Sequence, residues 1–278
     1  MARPATMKKR TTLWRIEGGG DLGDSYLFGT MHVRDSRMFE GLELIFEKIR
    51  CCTAFAAEFH LDEAPASDLG LQLSPGQGLR DLLPPRKYAK LRQVLKKSVH
   101  IDLDHYQALP PFFIVNLISE RILVSDMPVP LDLYLWDYAK AQNKALCGVE
   151  TIAEQMKVLS KISLSDQVDM LLETGRNISR HRKHLLHMAD LYQKRDLQRL
   201  YKTVKKNAKG MRKLILYRRN EIMADRIASL VAGQPTFAAV GAAHLGGGKG
   251  VIRLLKKKGL KVRPVQITAP SEQNQDQA

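Results

Sequence analysis

Two segments near opposite ends of the chain share one pattern, and that pattern limits the architectures open to the chain. Tyr26-Leu27-Phe28-Gly29-Thr30-Met31-His32 and Phe237-Ala238-Ala239-Val240-Gly241-Ala242-Ala243-His244 each read as a short apolar strand followed by Gly-x-x-His. The glycine permits a sharp turn or a close approach at the strand's end. The histidine then leaves the sheet beyond the strand carboxyl end, where open α/β sheets place ligands.

The rest of the pattern places strands mainly at the two ends of the chain. Residues 13–17 and 26–29 read as a hairpin around Gly18-Gly19-Gly20-Asp21, a helix covers 39–49, and 52–59 reads as a buried strand ending in Glu58-Phe59-His60. Residues 61–85, rich in Pro, Gly and Ser, read as a loop or lid. Helical periodicity covers 86–98, 111–123, 131–142, 151–158, 165–188, 190–206 and 211–232, with a short strand at 144–148. A strand at 237–240, a helix at 249–258 and a strand at 261–265 make a closing β-α-β unit. The expected fold is α/β (α+β): a mixed central sheet built from the N- and C-terminal segments, with a large helical insertion or cap over about 86–206. It forms a single domain, 11–268, between a flexible basic N-terminus (1–10) and a disordered polar tail (269–278).

Composition narrows the function classes. The three cysteines form no C-x-x-C pair, which excludes zinc-ribbon and thioredoxin-type readings and suits a reducing compartment. Residues 1–10 are basic but lead into no apolar core of a signal peptide, and no apolar run reaches the roughly 18–20 residues that span a bilayer. The segment 109–124 comes nearest and is broken by two prolines, Asn116, Glu120 and Arg121. The chain is therefore expected to be cytoplasmic. With 44 Lys+Arg against 29 Asp+Glu the formal net charge is +15, concentrated at 86–97, 176–183, 194–219 and 253–263. Aromatics are only 6% and no nucleic-acid-binding motif is present, so the charge reads as solvated helix faces and a nucleic-acid partner is not expected.

Glu58 also closes a strand, so it can reach the same sheet edge as His32 and His244. Two imidazoles and a carboxylate there would hold a divalent metal with an open position, and Zn, Mn, Co or Fe all suit that donor set. Such a metal polarises a carbonyl and activates water for hydrolysis near neutral pH. Ordinary strand-end histidines produce the same spacing, so it does not by itself make a site.

Further residues carry a family resemblance. Leu27-Phe28-Gly29-Thr30-Met31-His32 resembles the opening signature of the TraB/PrgY/GumN family, the group that includes the Tiki-type proteases. Val240-Gly241-Ala242-Ala243-His244-Leu245, with Gly250-Val251-Ile252 and Leu254-Leu255, resembles its closing signature. Ala57-Glu58, Gly148-Val149-Glu150-Thr151 with Glu154-Gln155, and Arg219-Asn220 with Met223-Ala224 resemble the segments between, in family order over residues 13–265. The resemblance implies a hydrolase-like fold related in plan to erythromycin-esterase and haem-binding ChaN-type proteins. For Tiki members it implies metalloprotease activity needing both Gly-x-x-His motifs and the glutamate. For pheromone-shutdown members it implies binding or degradation of a peptide.

On that footing His32, Glu58 and His244 are the expected metal ligands. Glu150 is a second acid, either a ligand or a general base, and Arg219 clamps a carboxylate or stabilises an oxyanion. Asn220 supports by hydrogen bonds, Gly29 and Gly241 shape the two motifs, and His60 is a supporting partner or an extra ligand because it would share a strand face with Glu58. The expected activity is hydrolysis of an amide or peptide bond, or an ester, in a peptide or small-molecule substrate. The rival readings are a non-catalytic peptide- or haem-binding regulator of the same fold, and a basic protein on nucleic acid or an anionic membrane. The oligomeric state is not legible.

Three other signals fail. Gly246-Gly247-Gly248-Lys249-Gly250 lacks the spacing of a phosphate loop, since Ala243 and Gly250 stand where Gly and Ser or Thr are needed. His181, His184 and His187 read as a solvated basic helix face, and Cys51-Cys52 as core packing.

Overall fold

The computed structural model describes residues 10–18, 23–62, 72–74 and 76–267. The basic segment up to residue 9, the tail 269–278, and parts of the 18–21 connection and the 61–85 loop lie outside the described residues. Strands β1 (Leu13–Ile16), β2 (Ser25–Thr30), β3 (Ala54–Ala57), β4 (Ala145–Gly148), β5 (Thr236–Gly241) and β6 (Val262–Val265) form a six-stranded sheet in the order β4-β3-β5-β2-β1-β6. Strand β1 runs antiparallel to β2 and to β6, while β2–β5, β3–β5 and β3–β4 pair in parallel. The sheet is mixed and joins the two ends of the chain, as the sequence predicts. Gly29 pairs with Val240 and Thr30 with Gly241, so both Gly-x-x-His segments leave adjacent parallel strands at the same edge.

The central strands show why their apolar runs do not alternate. Every residue of β2 and β3, and all of β5 but Gly241, is buried, because helices cover both faces of a parallel sheet. Phe55 stacks on Phe237 at 5.7 Å and 7°, and Trp136 meets Phe55 edge-on at 6.2 Å. Offset and edge-on aromatic pairs such as these contribute about 0.5–1.5 kcal/mol each beyond their buried area.

The chain divides into two compact units. The first comprises Met1–Leu61, Met127–Ile152 and Asp190–Ala278 and contains the sheet. Its helices are α1 (Leu42–Arg50), α4 (Leu131–Ala141), α8 (Leu197–Asn207), α9 (Arg219–Gly233), α10 (Ala242–Leu245) and α11 (Val251–Lys257). The second comprises Asp62–Asp126 and Ala153–Ala189. It holds α2 (Pro85–Val99), α3 (Pro111–Ile122), most of α5 (Ile152–Leu159), α6 (Leu164–Arg176) and most of α7 (Ile178–Gln193). Its core gathers Leu91, Leu95, Ile114, Ile118 and Leu171. Helices α2 and α3 each carry proline at the first turn, where the missing N–H costs nothing. Of the stretch 86–206 read as a cap, α4, β4 and α8 group with the sheet.

Three helical stretches differ from the periodicity, and one of them, 190–206, is divided between the end of α7 and α8. The stretch 165–188 is not continuous, because Asn177 leaves the helical region at φ −119° and ψ 40° between α6 and α7. The stretch 211–232 opens with a π-helical turn, Lys213–Arg218, which runs directly into α9. Single π turns insert an extra residue and are frequent at functional sites. Among the described residues no helix is long and apolar enough to cross a membrane.

Candidate active site

Each of the four parallel strands β2, β3, β4 and β5 delivers a candidate residue just past its carboxyl end: His32, Glu58, Glu150 and His244 respectively. The β3–β4 ladder continues beyond the strands through Val149 N–H to Ala57 O (2.8 Å) and Glu150 N–H to Glu58 O (2.8 Å). That continuation fixes the two glutamates side by side. It also requires the glycine at 148, where a Cβ would lie 2.6 Å from the His60 backbone nitrogen and 2.8 Å from Glu150 O. Gly29 is needed for a related reason. It has no left-handed backbone, but a Cβ there would sit 3.0 Å from Ala242 Cα, where α10 crosses β2.

Arg219 joins the two glutamates. Its Nε donates to both oxygens of Glu150 (3.1 and 3.0 Å), and its Nη2 donates to Glu150 Oε2 (2.6 Å) and to Glu58 Oε1. The other oxygen of Glu58 accepts from Gly241 N–H at 3.1 Å. Burial alone would raise the Glu58 pKa, but the Arg219 charge, His244 and the Gly241 N–H outweigh it and hold the carboxyl below its usual range. The guanidinium is itself penalised by burial, yet the two carboxylates raise its pKa. The π-helical turn ahead of α9 ends at Arg218, so Arg219 and Asn220 are aimed from the first residues after an irregular turn.

His244 lies in α10 and is buried, at 7% exposure. Burial drives its pKa down to about 4, with Glu58 opposing and Arg219 adding to the shift. Its Nδ1 lies 2.6 Å from Asn220 Oδ1, and Asn220 is wholly buried. His32 is held differently. Its Nδ1–H points at both oxygens of Asp132 (2.9 and 2.8 Å), and its side chain is 60% exposed. Backbone bonds from Met127 N–H to Arg34 O and from Leu131 N–H to Val33 O bring Asp132 there.

The structure thus gathers Glu58, Glu150, Arg219, Gly241, Asn220 and His244 into one connected group, with His32 on the neighbouring strand end. Among the described residues no three His, Cys, Asp or Glu side chains stand as a preassembled metal-holding group. Both oxygens of Glu58 are engaged by Arg219 and Gly241. The strand read as far as residue 59 ends at Ala57, so Glu58 lies in the bend that follows and His60 beyond it, outside a strand's alternation. The His60 ring packs edge-on against Trp136 at 4.8 Å, and its Nδ1 is buried without a hydrogen-bond partner among the described residues.

Two contributors were not visible in the sequence. Asp132 lies 100 positions from His32, and the one local signal is a carboxylate in the first turn of α4, where the helix dipole favours it. The buried Tyr192 hydroxyl donates to Gly29 O at 2.7 Å beneath the first motif. The residues set aside on sequence mostly stay outside the site. Cys52 is core, its thiol pushed up to about 12 by burial. His181 and His184 are half-buried rather than solvated, and His181 bonds Ser119 Oγ at 3.0 Å.

The sequence is similar to those of known proteins. The chain is 25% identical to the zebrafish (Danio rerio) metalloprotease TIKI1 over 307 residues, covering 88% of this chain and 62% of that protein. It is 24% identical to zebrafish metalloprotease TIKI2, covering 97% and 63%, and 22% identical to a metalloprotease TIKI homolog of Amphimedon queenslandica, covering 92% and 62%. The chain therefore spans less than two thirds of these relatives' own length. No solved structure gives a significant match. The sequence model of the TraB/PrgY/gumN family matches residues 12–264, from the strand before the first Gly-x-x-His to the last strand of the sheet, and the chain belongs to that family.

Proposed function

We propose that the chain is a metal-dependent hydrolase acting on an amide or peptide bond. The observation that supports this most is Glu58, held as a carboxylate between Arg219 and Gly241 N–H beside the neutral imidazole of His244. The names of the TIKI relatives support a metalloprotease, although those proteins are longer. The donor chemistry fits a borderline divalent cation. His244 and His32 each turn Nδ1 toward an acceptor, as metal-bound histidines do. His32, Glu58 and His244 would hold the metal, with Zn, Mn, Co or Fe compatible. When bound, such an ion supplies Lewis-acid polarisation of the scissile carbonyl.

The chain's own residues divide the remaining work. Arg219 Nε and Nη2 are occupied by carboxylates, while Nη1 has no hydrogen bond among the described residues and is the donor offered to a developing oxyanion. Glu150, fixed by Arg219 next to Glu58, is the second acid and serves as proton acceptor for the attacking water. The substrate is a peptide, bound at the carboxyl edge of β2, β3, β4 and β5.

Metal content of tag-free protein tests the reading. Stoichiometric metal in the native chain, lost in both His32→Ala and His244→Ala, is the expected result. A folded sample that takes up none of Zn, Mn or Co removes the hydrolase and leaves a peptide- or haem-binding protein of the same fold.

A further inference from the structure

The Asn220 side chain makes two hydrogen bonds among the described residues, one buried and one part-buried. Its Nδ2 donates to Lys249 O at 2.7 Å and its Oδ1 faces His244 Nδ1 at 2.6 Å. The chemistry of these four atoms allows one arrangement only. The carbonyl of Lys249 can accept but not donate, so the nitrogen of the Asn220 amide must be the atom that faces it. The amide oxygen is then turned to His244, and it too can only accept. Nδ1 of His244 must therefore carry the hydrogen, and a neutral ring with Nδ1–H has its lone pair on Nε2. In water the opposite tautomer of histidine is the commoner one, so the environment has to select this one.

We infer that Asn220 is a positioning residue: through the Lys249 carbonyl it fixes the His244 ring as the Nδ1–H tautomer and so leaves Nε2 as the atom that can bind a metal. The device is a relay from backbone to amide to imidazole. Its reference point is a main-chain carbonyl in the Gly246–Gly250 turn, so no side chain can rotate it out of register. It differs from the partner of His32, where the carboxylate of Asp132 imposes Nδ1–H with a negative charge. A neutral amide does the same at His244 without adding a third carboxylate beside Glu58 and Glu150. The run of glycines thereby gains a role that its failed phosphate-loop spacing did not suggest. That Nε2 is offered to a metal rests on the hydrolase reading; the tautomer itself does not.

The test is long-range ¹H–¹⁵N correlation of the histidine rings in metal-free, ¹⁵N-histidine-labelled protein, with Co²⁺ affinity read from its visible absorption. The expected wild-type spectrum shows His244 protonated at Nδ1 and unprotonated at Nε2. Asn220→Ala moves His244 toward the Nε2–H form, leaves His32 unchanged and weakens Co²⁺ binding by about 10–100-fold. Asn220→Asp, which keeps an acceptor against Nδ1, restores the tautomer. A wild-type His244 protonated at Nε2 overturns the assignment, and this holds even where Asn220→Ala does not fold. An Asn220→Ala spectrum with the native tautomer also overturns it. The expected tautomers with no Co²⁺ binding in the wild type keep the assignment and remove the hydrolase reading instead.

Discussion

At the scale of single residues, the site is governed by burial and by compensation between charges. Glu150 has 1% of its side chain exposed and Glu58 27%, and one guanidinium serves both. Removing a single partner from a buried ion-pair network leaves uncompensated charge, a change that typically costs about 3–5 kcal/mol. Arg219→Met is therefore expected to lower stability by about 3 kcal/mol in urea titration at pH 7, and Arg219→Lys by less. His244 makes a separate prediction from its depressed pKa. It is neutral in the folded chain down to about pH 4, whereas the unfolded chain binds that proton near the ordinary value of 6.5. Between those values the unfolded state holds more protons, so stability is full above pH 6.5 and falls as the pH drops toward 4. The expected loss from pH 7 to pH 5 is about 2 kcal/mol. His244→Gln, which has no proton to gain, should show a smaller loss over the same range in parallel urea titrations.

At the scale of elements, close approach decides more than propensity. The strand ends of β3 and β4 lie together because nothing projects from residue 148, and β2 lies under α10 because nothing projects from residue 29. Gly148→Ala would press a methyl onto backbone atoms that cannot rotate away. It is expected to cost about 1–3 kcal/mol, visible as a lowered thermal midpoint.

At the scale of the whole molecule, the sheet exists only because both ends of the chain contribute to it. Strand β5 lies between β3 and β2, and β6 closes on β1. A chain ended after Gly233 loses β5 and β6 together, leaving β2 and β3 without their shared neighbour. It is expected to show no cooperative unfolding by near-ultraviolet circular dichroism. Much of this plan was legible beforehand. The paired apolar runs ending in Gly-x-x-His, the strand at 144–148 and the helical block follow from hydrophobic pattern and turn chemistry, which are local properties. Glu58 and His244 were legible as candidates because each follows a readable strand, whereas Glu150, Arg219 and Asn220 were candidates through the family resemblance, the last two lying inside the stretch 211–232 read as one helix. What the pattern could not carry was anything set by through-space pairing. Asp132 meets His32 across 100 positions, Asn220 takes its orientation from the carbonyl of Lys249, and both oxygens of Glu58 are committed to Arg219 and a backbone N–H. Sequence by itself determined which strands and helices form and which chemical groups stand at their ends, because those depend on neighbours along the chain. Only the tertiary structure decided which groups touch and which ring atom of His32 and His244 faces a partner, because a hydrogen bond depends on the positions of both partners in space.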